Sequence, residues 1–382
     1  MKKKSSRLVL SLFSAVLMFV MAACSSNSNN GASPSVSPSA SPSETSSVSP
    51  SASPDAKPGI DWEARIAANK KAGKITYGTS FYYAASPPDA NAVIADELGY
   101  FKELGLDVEV IPGLEGEQMK MLAAGRIQFT ASGTASTVIQ SVANGAEIKG
   151  IAVMSPVTIG ALMVLDKSGI KSPKDLEGKT VGYKGALPAS FKAMFKNAGA
   201  DISKIKLVSV GFDPTILNTA DVDAITVFKS NEPNAMEKLG FKVRLLDPKD
   251  YGVNSSSGVV VANNDFVNKY PTAAEDVLRA LLKAQEYIAS HQDETIKILA
   301  GRSETTYNVE TETNRLKVEM GIIASSQVSG FGIGLHTAKQ WQDEIDMLVN
   351  TDSIKKAVPV DQVMDNKLIS NIYDGDKLIW IK

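Results

Sequence analysis

Short strand-like segments that alternate with helical segments constrain the fold of this chain more than any other feature. The runs 74–78 and 106–111 are each followed by a helical stretch, at 89–103 and 115–124 respectively, and the alternation continues to about residue 262. Strands that alternate with helices of this length are typical of βαβ units around a mainly parallel sheet. We therefore predict an α/β fold.

The length of the chain predicts more than one such unit. A chain of 382 residues exceeds what one hydrophobic core usually supports. We expect a first lobe over 60–162 plus 259–382 and a second lobe, inserted into it, over 163–258. The chain would then cross twice between two lobes, and these crossings would form a hinge. Ligands of open α/β sheets bind beyond the carboxyl ends of the strands, so a cleft between the lobes is the expected binding site.

The amino terminus has the pattern of a lipoprotein signal peptide. Basic residues precede an apolar run from Leu8 to Val20, which is too short to span a bilayer as a stable helix. Small residues then precede Cys24, the only cysteine of the chain. This arrangement resembles a bacterial lipobox, and a plain secretory cleavage site is the alternative. We predict a signal peptide over 1–23 and a lipid anchor on Cys24.

The segment that follows Cys24 has the composition of a disordered tether. Residues 25–58 include 14 Ser and 6 Pro. Such a segment holds too little apolar surface to offset the entropy of ordering it. We therefore predict that residues 24–59 form a tether that holds a globular body near a membrane.

Composition and motifs exclude several classes of function. The formal net charge is −2, whereas nucleic-acid-binding proteins carry a basic excess. The chain has two histidines, His291 and His336, and no sequence motif of a P-loop, a serine hydrolase or a zinc site. The glycine-rich run 330–334 follows no clear strand and is interpreted as a loop. We therefore predict a binding protein without catalytic residues, metal or cofactor.

Three segments of the chain resemble a known family. They are 97–108 (ELGYFKELGLDV), 121–129 (MLAAGRIQF) and 169–182 (GIKSPKDLEGKTVG). Together and in this order they resemble the substrate-binding proteins of bacterial ABC importers, in the nitrate, sulfonate and thiamine-pyrimidine-precursor family. The resemblance implies a two-lobed periplasmic-binding fold of type II and a monomeric, extracytoplasmic, lipid-anchored receptor that delivers a small molecule to an ABC transporter permease.

The resemblance also suggests a class of ligand. The run 226–233 (TVFKSNEP) looks like the Asn/Glu segment of binders of pyrimidine precursors and related heteroaromatic compounds. Asn231 and Glu232 would accept hydrogen bonds from an amino-heterocycle. The alternative is that both residues only begin a helix, which Pro233 would favour. An anionic ligand such as a sulfonate, nitrate or taurine is a further alternative, for which hydroxyls are available at Ser132, Thr134 and Ser190.

Aromatic residues after the first strand are candidates for stacking on a planar ligand. Tyr82 and Tyr83 lie there, and Tyr183 would face them from the second lobe. The alternative is that one of these rings packs beneath the loop. Further candidates on loops near the cleft are Glu115, Ser155 and Pro188. Pyrimidine-precursor synthases that share the fold use a cysteine-rich motif, which this chain lacks, so an enzyme is the less favoured class; a ligand-sensing or surface-interaction protein is another.

The lipid anchor leads to a first prediction. Replacing Cys24 by Ser removes the atom that would carry the lipid, while the globular body is unchanged. We expect Cys24→Ser to move the protein from the membrane fraction to the soluble fraction of cells, with unchanged ligand affinity. Continued partitioning of Cys24→Ser into membranes would contradict the lipobox assignment.

Overall fold

A computed structural model describes residues 59–303 and 307–381. The signal peptide, Cys24 and the tether up to residue 58 lie outside the described residues. Within the described ranges, no helix combines the length and the apolar character that crossing a membrane requires.

Ten strands of the described chain form two sheets of five strands each. In chain order they are β1 (Lys74–Gly78), β2 (Asp107–Ile111), β3 (Phe129–Ser132), β4 (Ile148–Ser155), β5 (Gly160–Leu165), β6 (Thr180–Tyr183), β7 (Lys206–Ser209), β8 (Ala224–Phe228), β9 (Val243–Leu246) and β10 (Ser257–Asn263). The first sheet has the order β2-β1-β3-β10-β4, and the second has the order β7-β6-β8-β5-β9. The two sheets therefore repeat one topology.

Each sheet contains one strand that runs against the others. β10 is antiparallel to β3 and β4, and β5 is antiparallel to β8 and β9, whereas β1 is parallel to β2 and β3, and β6 is parallel to β7 and β8. β5 and β10 are also the strands that follow the two passages of the chain between the sheets. Both begin beside the carboxyl ends of their neighbours, since Gly160 pairs with Phe228 and Ser257 pairs with Ser155. Both passages therefore lie at the carboxyl edges.

The two sheets confirm the predicted two-lobed α/β class. We name the part built on the first sheet lobe 1 and the part built on the second sheet lobe 2. The chain leaves lobe 1 through residues 156–159 and returns through 247–256. Lobe 2 starts with β5 at Gly160, three residues before the expected boundary at 163. An apolar run such as β5 shows that a strand is buried but not which sheet it joins.

Helices cover both sheets, and most of the carboxyl-terminal third is helical. The helices are α1 (Trp62–Asn69), α2 (Asp89–Glu97), α3 (Tyr100–Glu103), α4 (Glu115–Ala123), α5 (Ala135–Ala143), α6 (Ala189–Asn197), α7 (Ile216–Thr219), α8 (Glu232–Lys238), α9 (Asn264–Lys269), α10 (Pro271–Ser290), α11 (Gln292–Arg302), α12 (Val309–Ser326), α13 (Ala338–Asn350), α14 (Val360–Val363) and α15 (Lys367–Asn371). A short hairpin of β11 (Tyr373–Asp374) and β12 (Lys377–Leu378) follows.

The helix predicted over 89–103 is two helices in the structure. α2 ends at Glu97, Leu98 caps it, and Gly99 then adopts a φ of 78° before α3 begins. This left-handed conformation costs glycine little and cannot continue a right-handed helix. The apolar pattern continues through the break, so the pattern alone does not show it.

One close contact attaches α13 to the first sheet. The Trp341 indole is buried against Gly150 of β4, and its Nε1 donates a hydrogen bond to Nδ1 of His336 at 2.8 Å. Burial lowers the pKa of His336 to about 4, so this imidazole is neutral at pH 7. A Cβ atom placed on Gly150 would lie 2.3 Å from Cη2 of Trp341. A glycine is therefore required at this position.

This contact leads to a second prediction. Gly150→Ala forces the buried indole to move, and overpacking of this kind costs about 1–3 kcal/mol of unfolding free energy. Gly301→Ala is the matched control, because nothing lies within 4 Å of a Cβ at that helical position. We expect the control to be neutral or to gain up to about 1 kcal/mol. Equal denaturant midpoints for the two variants would contradict the packing described here.

Candidate functional site

A small cavity lies at the junction of the lobes, where loops from the carboxyl edge of the first sheet meet α12. Its volume is about 40 Å³, enough for a few atoms but not for a ring. Its lining is mostly hydroxyl-bearing or apolar and consists of Ser80, Ser86, Pro87, Pro88, Ser132, Gly133, Met154, Ile159, Ser257, Gly258, Glu319, Ile322 and Ile323.

The loop between β1 and α2 is held in place by one buried carboxylate. Asp89, the first residue of α2, accepts hydrogen bonds from the Ser80 amide at 2.7 Å, the Ser80 hydroxyl at 2.7 Å and the Phe81 amide at 3.1 Å. Burial raises the pKa of Asp89 to about 7, although these hydrogen bonds act in the opposite direction. Asp89 thereby sets the position of the side chains that follow β1.

Two aromatic side chains of this loop are exposed. Phe81 is 47% exposed and Tyr82 is 53% exposed, with their ring centroids 5.9 Å apart. Tyr82 has a φ of 48°, which is uncommon for a residue other than glycine and concentrates at functional sites. Its amide donates to the Gly113 carbonyl at 2.7 Å, which ties this loop to the one after β2. The backbone therefore holds an unfavourable conformation that presents these two rings.

Tyr83, the neighbouring candidate, is placed differently. It is buried in the core of lobe 1, with its hydroxyl 3.5 Å from the carbonyl oxygen of Val110. The Arg302 guanidinium lies 5.9 Å from its ring centroid. Tyr83 therefore packs beneath the loop, which is the alternative that the sequence left open for one of these rings.

Lobe 2 presents exposed aromatic residues at the corresponding edge. Phe228 ends β8 and is 47% exposed, and Phe212, after β7, is 78% exposed. Tyr183 ends β6 and is half-buried. Lys184 follows it, with its ammonium 5.6 Å from the Phe212 ring centroid. Both lobes therefore place aromatic rings beyond the carboxyl ends of their strands.

Glu232 is engaged by its own lobe. Its carboxylate pairs with the Lys184 ammonium and accepts the Phe228 amide at 2.9 Å. It is the first residue of α8; Pro233 follows, and Asn231 occupies the capping position without a side-chain capping bond. The features of a helix start are thus present, together with an ion pair that no sequence pattern indicated.

Glu115 joins two loops of lobe 1. It begins α4 and accepts the Ser132 hydroxyl at 2.5 Å and the Gly133 amide at 3.0 Å. Thr134 caps α5 by accepting the Thr137 amide at 3.3 Å. Of these candidates, Ser132 lines the cavity, and the hydrogen bond to Glu115 holds the Ser132 side chain in this position.

The remaining candidates lie at the same edges but outside the lining of the cavity. Ser155 ends β4, and its hydroxyl oxygen is 3.0 Å from that of Ser326. Pro188 precedes α6, and Ser190 lies in the first turn of that helix. The glycine-rich run 330–334 is a loop, and His291 is exposed at the junction of α10 and α11.

Sequence reasoning missed Glu319, the acidic side chain of the cavity. Glu319 lies on α12, is 4% exposed, and accepts hydrogen bonds from the hydroxyls of Ser86 and, at 2.7 Å, Ser230. Burial raises the pKa of Glu319. A signal was available, since Glu319 falls between the buried Leu316 and Ile323 at helical spacing. A carboxylate on the apolar stripe of a helix is rare unless it has partners.

Two α/β lobes of one topology that meet at their carboxyl edges define the fold of the periplasmic binding proteins. The crystal structure of the periplasmic aliphatic sulphonate binding protein SsuA from Escherichia coli has this fold, with a TM-score of 0.60 and 16% identity over 76% of this chain and 96% of that one. The chain belongs to the NMT1/THI5-like family, whose model matches residues 87–295.

Two further proteins are similar to this chain. The formylaminopyrimidine-binding protein of Halalkalibacterium halodurans is 26% identical over 275 residues, which are 69% of this chain and 82% of that protein. A crystal structure of the desulfurization enzyme DSZB has a TM-score of 0.54 at 12% identity, covering 78% of this chain and 98% of that one. The fold alone therefore does not separate binding proteins from enzymes.

The buried Asp89 carboxyl leads to a third prediction, on pH. Its folded-state pKa of about 7 lies above the ordinary value near 4, so the folded state binds this proton more tightly than the unfolded state does. The resulting stabilisation is complete below about pH 4 and is lost as the pH rises to about 7. The melting temperature of the parent should therefore fall between pH 5 and pH 8, and we expect this fall to be smaller in Asp89→Asn.

The control for this measurement is Asp175→Asn. Hydrogen bonds from Lys171 and Ser172 lower the pKa of the exposed Asp175, so its contribution has the opposite sign. Melting curves at several pH values separate the two cases. Parallel pH profiles for the parent and Asp89→Asn would contradict the raised pKa.

Proposed function

We propose that this protein is the solute-binding lipoprotein of an ABC importer and that it binds a small planar heteroaromatic solute between its lobes. Family membership and the similarity to a formylaminopyrimidine-binding protein support this proposal. So do the exposed rings of Phe81 and Tyr82 on lobe 1 and of Phe212 and Phe228 on lobe 2. Rings on facing lobes stack well on a planar solute.

The proposed class of solute rests on one observation, which is the negative charge at the wall of the cavity. Among the described residues that line it, Glu319 is the one charged group, and the other polar groups are serine hydroxyls and backbone. A carboxylate attracts N–H donors and repels a sulfonate or a nitrate. The arrangement therefore favours a nitrogen-rich solute over the anionic ligands that the sequence left open.

The mechanism that we propose is closure of the lobes on the solute. The chain passes between the lobes at 156–159 and 247–256, and α12 also contacts lobe 2 through Ser230. A solute that contacts both lobes favours the closed arrangement in proportion to its extra affinity for that arrangement. Binding then needs no bond-breaking step, which agrees with the proposal of a receptor rather than an enzyme.

The lipid anchor and the partner belong to the same proposal. Cys24 would hold the protein at the outer face of the cell membrane as a monomer, and the Ser/Pro tether would let the body reach the permease. A flexible tether raises the local concentration of the receptor without adding a contact surface.

The proposed solute leads to a fourth prediction. In calorimetric titrations we expect the protein to bind formylaminopyrimidine and not an alkanesulfonate, because the former brings a ring and N–H donors. Tyr82→Ala removes an exposed ring, and loss of one stacking contact weakens binding by about two- to tenfold. Binding of the alkanesulfonate in preference to formylaminopyrimidine would refute the assignment.

Glu232 is tested in the same titrations. If Glu232 contacts the solute, Glu232→Gln should weaken binding about ten- to a hundredfold, the value of a hydrogen bond to a charged group. If its role is confined to Lys184 and the start of α8, the variant should lose stability and keep its affinity. Glu237→Gln, on the exposed face of the same helix, is the control.

A further inference from the structure

The Glu319 carboxylate connects parts of the protein that lie far apart in the sequence. One oxygen accepts the hydroxyl of Ser86, which follows the exposed rings of lobe 1, and the other accepts the hydroxyl of Ser230, which precedes α8 of lobe 2. The Ser230 carbonyl also accepts a hydrogen bond at 2.9 Å from the side-chain amide of Asn314, which lies on α12 five residues before Glu319. Glu319 is therefore held by both lobes at the wall of the cavity.

No cation within the described residues neutralises this carboxylate directly. Arg315, four residues earlier on α12, pairs with Glu312 at 3.0 Å, and Glu312 also accepts the Ala85 amide at 2.8 Å. A buried carboxylate that accepts only two neutral hydroxyls is costly. Its two oxygens have about four acceptor positions, so further N–H donors fit. An N–H group in the cavity would offset part of this cost.

The size of the cavity limits what it accepts. About 40 Å³ admits a substituent of one or two heavy atoms, and Ser80, Ser132 and Ser257 line the cavity together with Glu319. We propose that the cavity is a subsite for a primary amino group of the bound heterocycle and that Glu319 is its specificity-determining residue. This amine subsite rests on the proposed function, and within that function Glu319 is the group that selects the solute.

The two serines add a consequence for closure. An amino group bound by Glu319 contacts a carboxylate that is already held by Ser86 from lobe 1 and Ser230 from lobe 2. The amine adds to closure where the same solute also contacts lobe 2, since a ligand shifts an equilibrium only through its differential affinity for the two arrangements. A solute with the same ring but no N–H donor lacks this contribution.

The test compares two probes that differ in one group, 4-aminopyrimidine and 4-methylpyrimidine. In titrations at pH 8, we expect the parent to bind the amino compound about ten- to a hundredfold more tightly, as a hydrogen bond to a charged group implies. Glu319→Gln should abolish most of this preference while leaving the affinity for the methyl compound within about twofold. A preference that survives in Glu319→Gln overturns the proposal.

Glu310→Gln is the matched control. Glu310 lies on the same helix and also joins the lobes, through an ion pair with Lys238 at 2.8 Å, but it does not line the cavity. We expect it to retain the full preference for the amino compound. Equal loss of preference in Glu310→Gln and Glu319→Gln would show that contact between the lobes, and not the amine subsite, determines the preference, and would also overturn the proposal.

The outcomes separate this inference from the proposed function. If the parent binds both pyrimidines equally, the heterocycle site stands and the amine subsite is refuted. If the parent binds neither probe nor formylaminopyrimidine, the proposed function itself fails. Should Glu319→Gln not fold, Glu319→Asp takes its place: the shorter side chain withdraws the carboxylate from the cavity, so the preference for the amino compound should fall severalfold, and an unchanged preference would overturn the proposal.

Discussion

The single reversed strand in each sheet is the constraint on which the rest of the structure depends. A chain that leaves one parallel sheet at its carboxyl edge enters the next sheet by the shortest route at the carboxyl edge of that sheet, and the entering strand must then run backwards. β5 and β10 do this, with Gly160 beside Phe228 and Ser257 beside Ser155. Since both passages are at these edges, the loops that follow the parallel strands of both lobes converge on one junction.

Carboxylates organise that junction, and three of the four, Asp89, Glu319 and Glu344, are buried. Asp89 binds the amides of the loop after β1, Glu115 binds the loop after β3, and Glu344 binds the Ser136 hydroxyl at 2.6 Å and the Ser256 amide at 2.8 Å. Glu319 does the same between the lobes. Within residues 59–303 and 307–381, each accepts hydrogen bonds from neutral N–H or O–H groups and forms no ion pair. Hydrogen bonds of this kind fix the conformations of these loops, and burial raises the pKa of Asp89, Glu319 and Glu344.

The elements of the fold follow closely from local patterns. Asp61 accepts the Ala64 amide at 3.0 Å and caps α1, as its position before an apolar run indicates. The apolar alternation located β1 and β2 to within one residue of their observed ends. It did not show the break at Gly99, because the residues on both sides face the same core. It also did not assign β5 to its sheet, because pairing between strands depends on residues distant in the sequence.

The sequence indicated the strand edges at which its candidate residues lie, but not the contacts that they make. The loop after β1 and the segment at 231–233 both lie at the carboxyl edges, as expected. That Tyr82 is exposed while Tyr83 is buried depends on the left-handed backbone at Tyr82 and on the hydrogen bond of its amide to Gly113. The ion-pair partner of Glu232 is Lys184, which lies 48 residues away in the sequence. Neither contact leaves a periodic trace in the sequence.

The sequence by itself determined the α/β class, the alternation of elements and the family, because these depend on local propensity, on apolar periodicity and on motifs that lie within single segments. Tertiary structure alone decided which side chains face the cavity and which carboxylates, among the residues that the structure describes, accept neutral donors in place of a cation. The physical reason is the separation in sequence between residues in contact: the hydrogen bond from Ser230 to Glu319, for example, joins residues 89 positions apart. Its existence depends on the packing of whole helices and sheets, which no local pattern encodes.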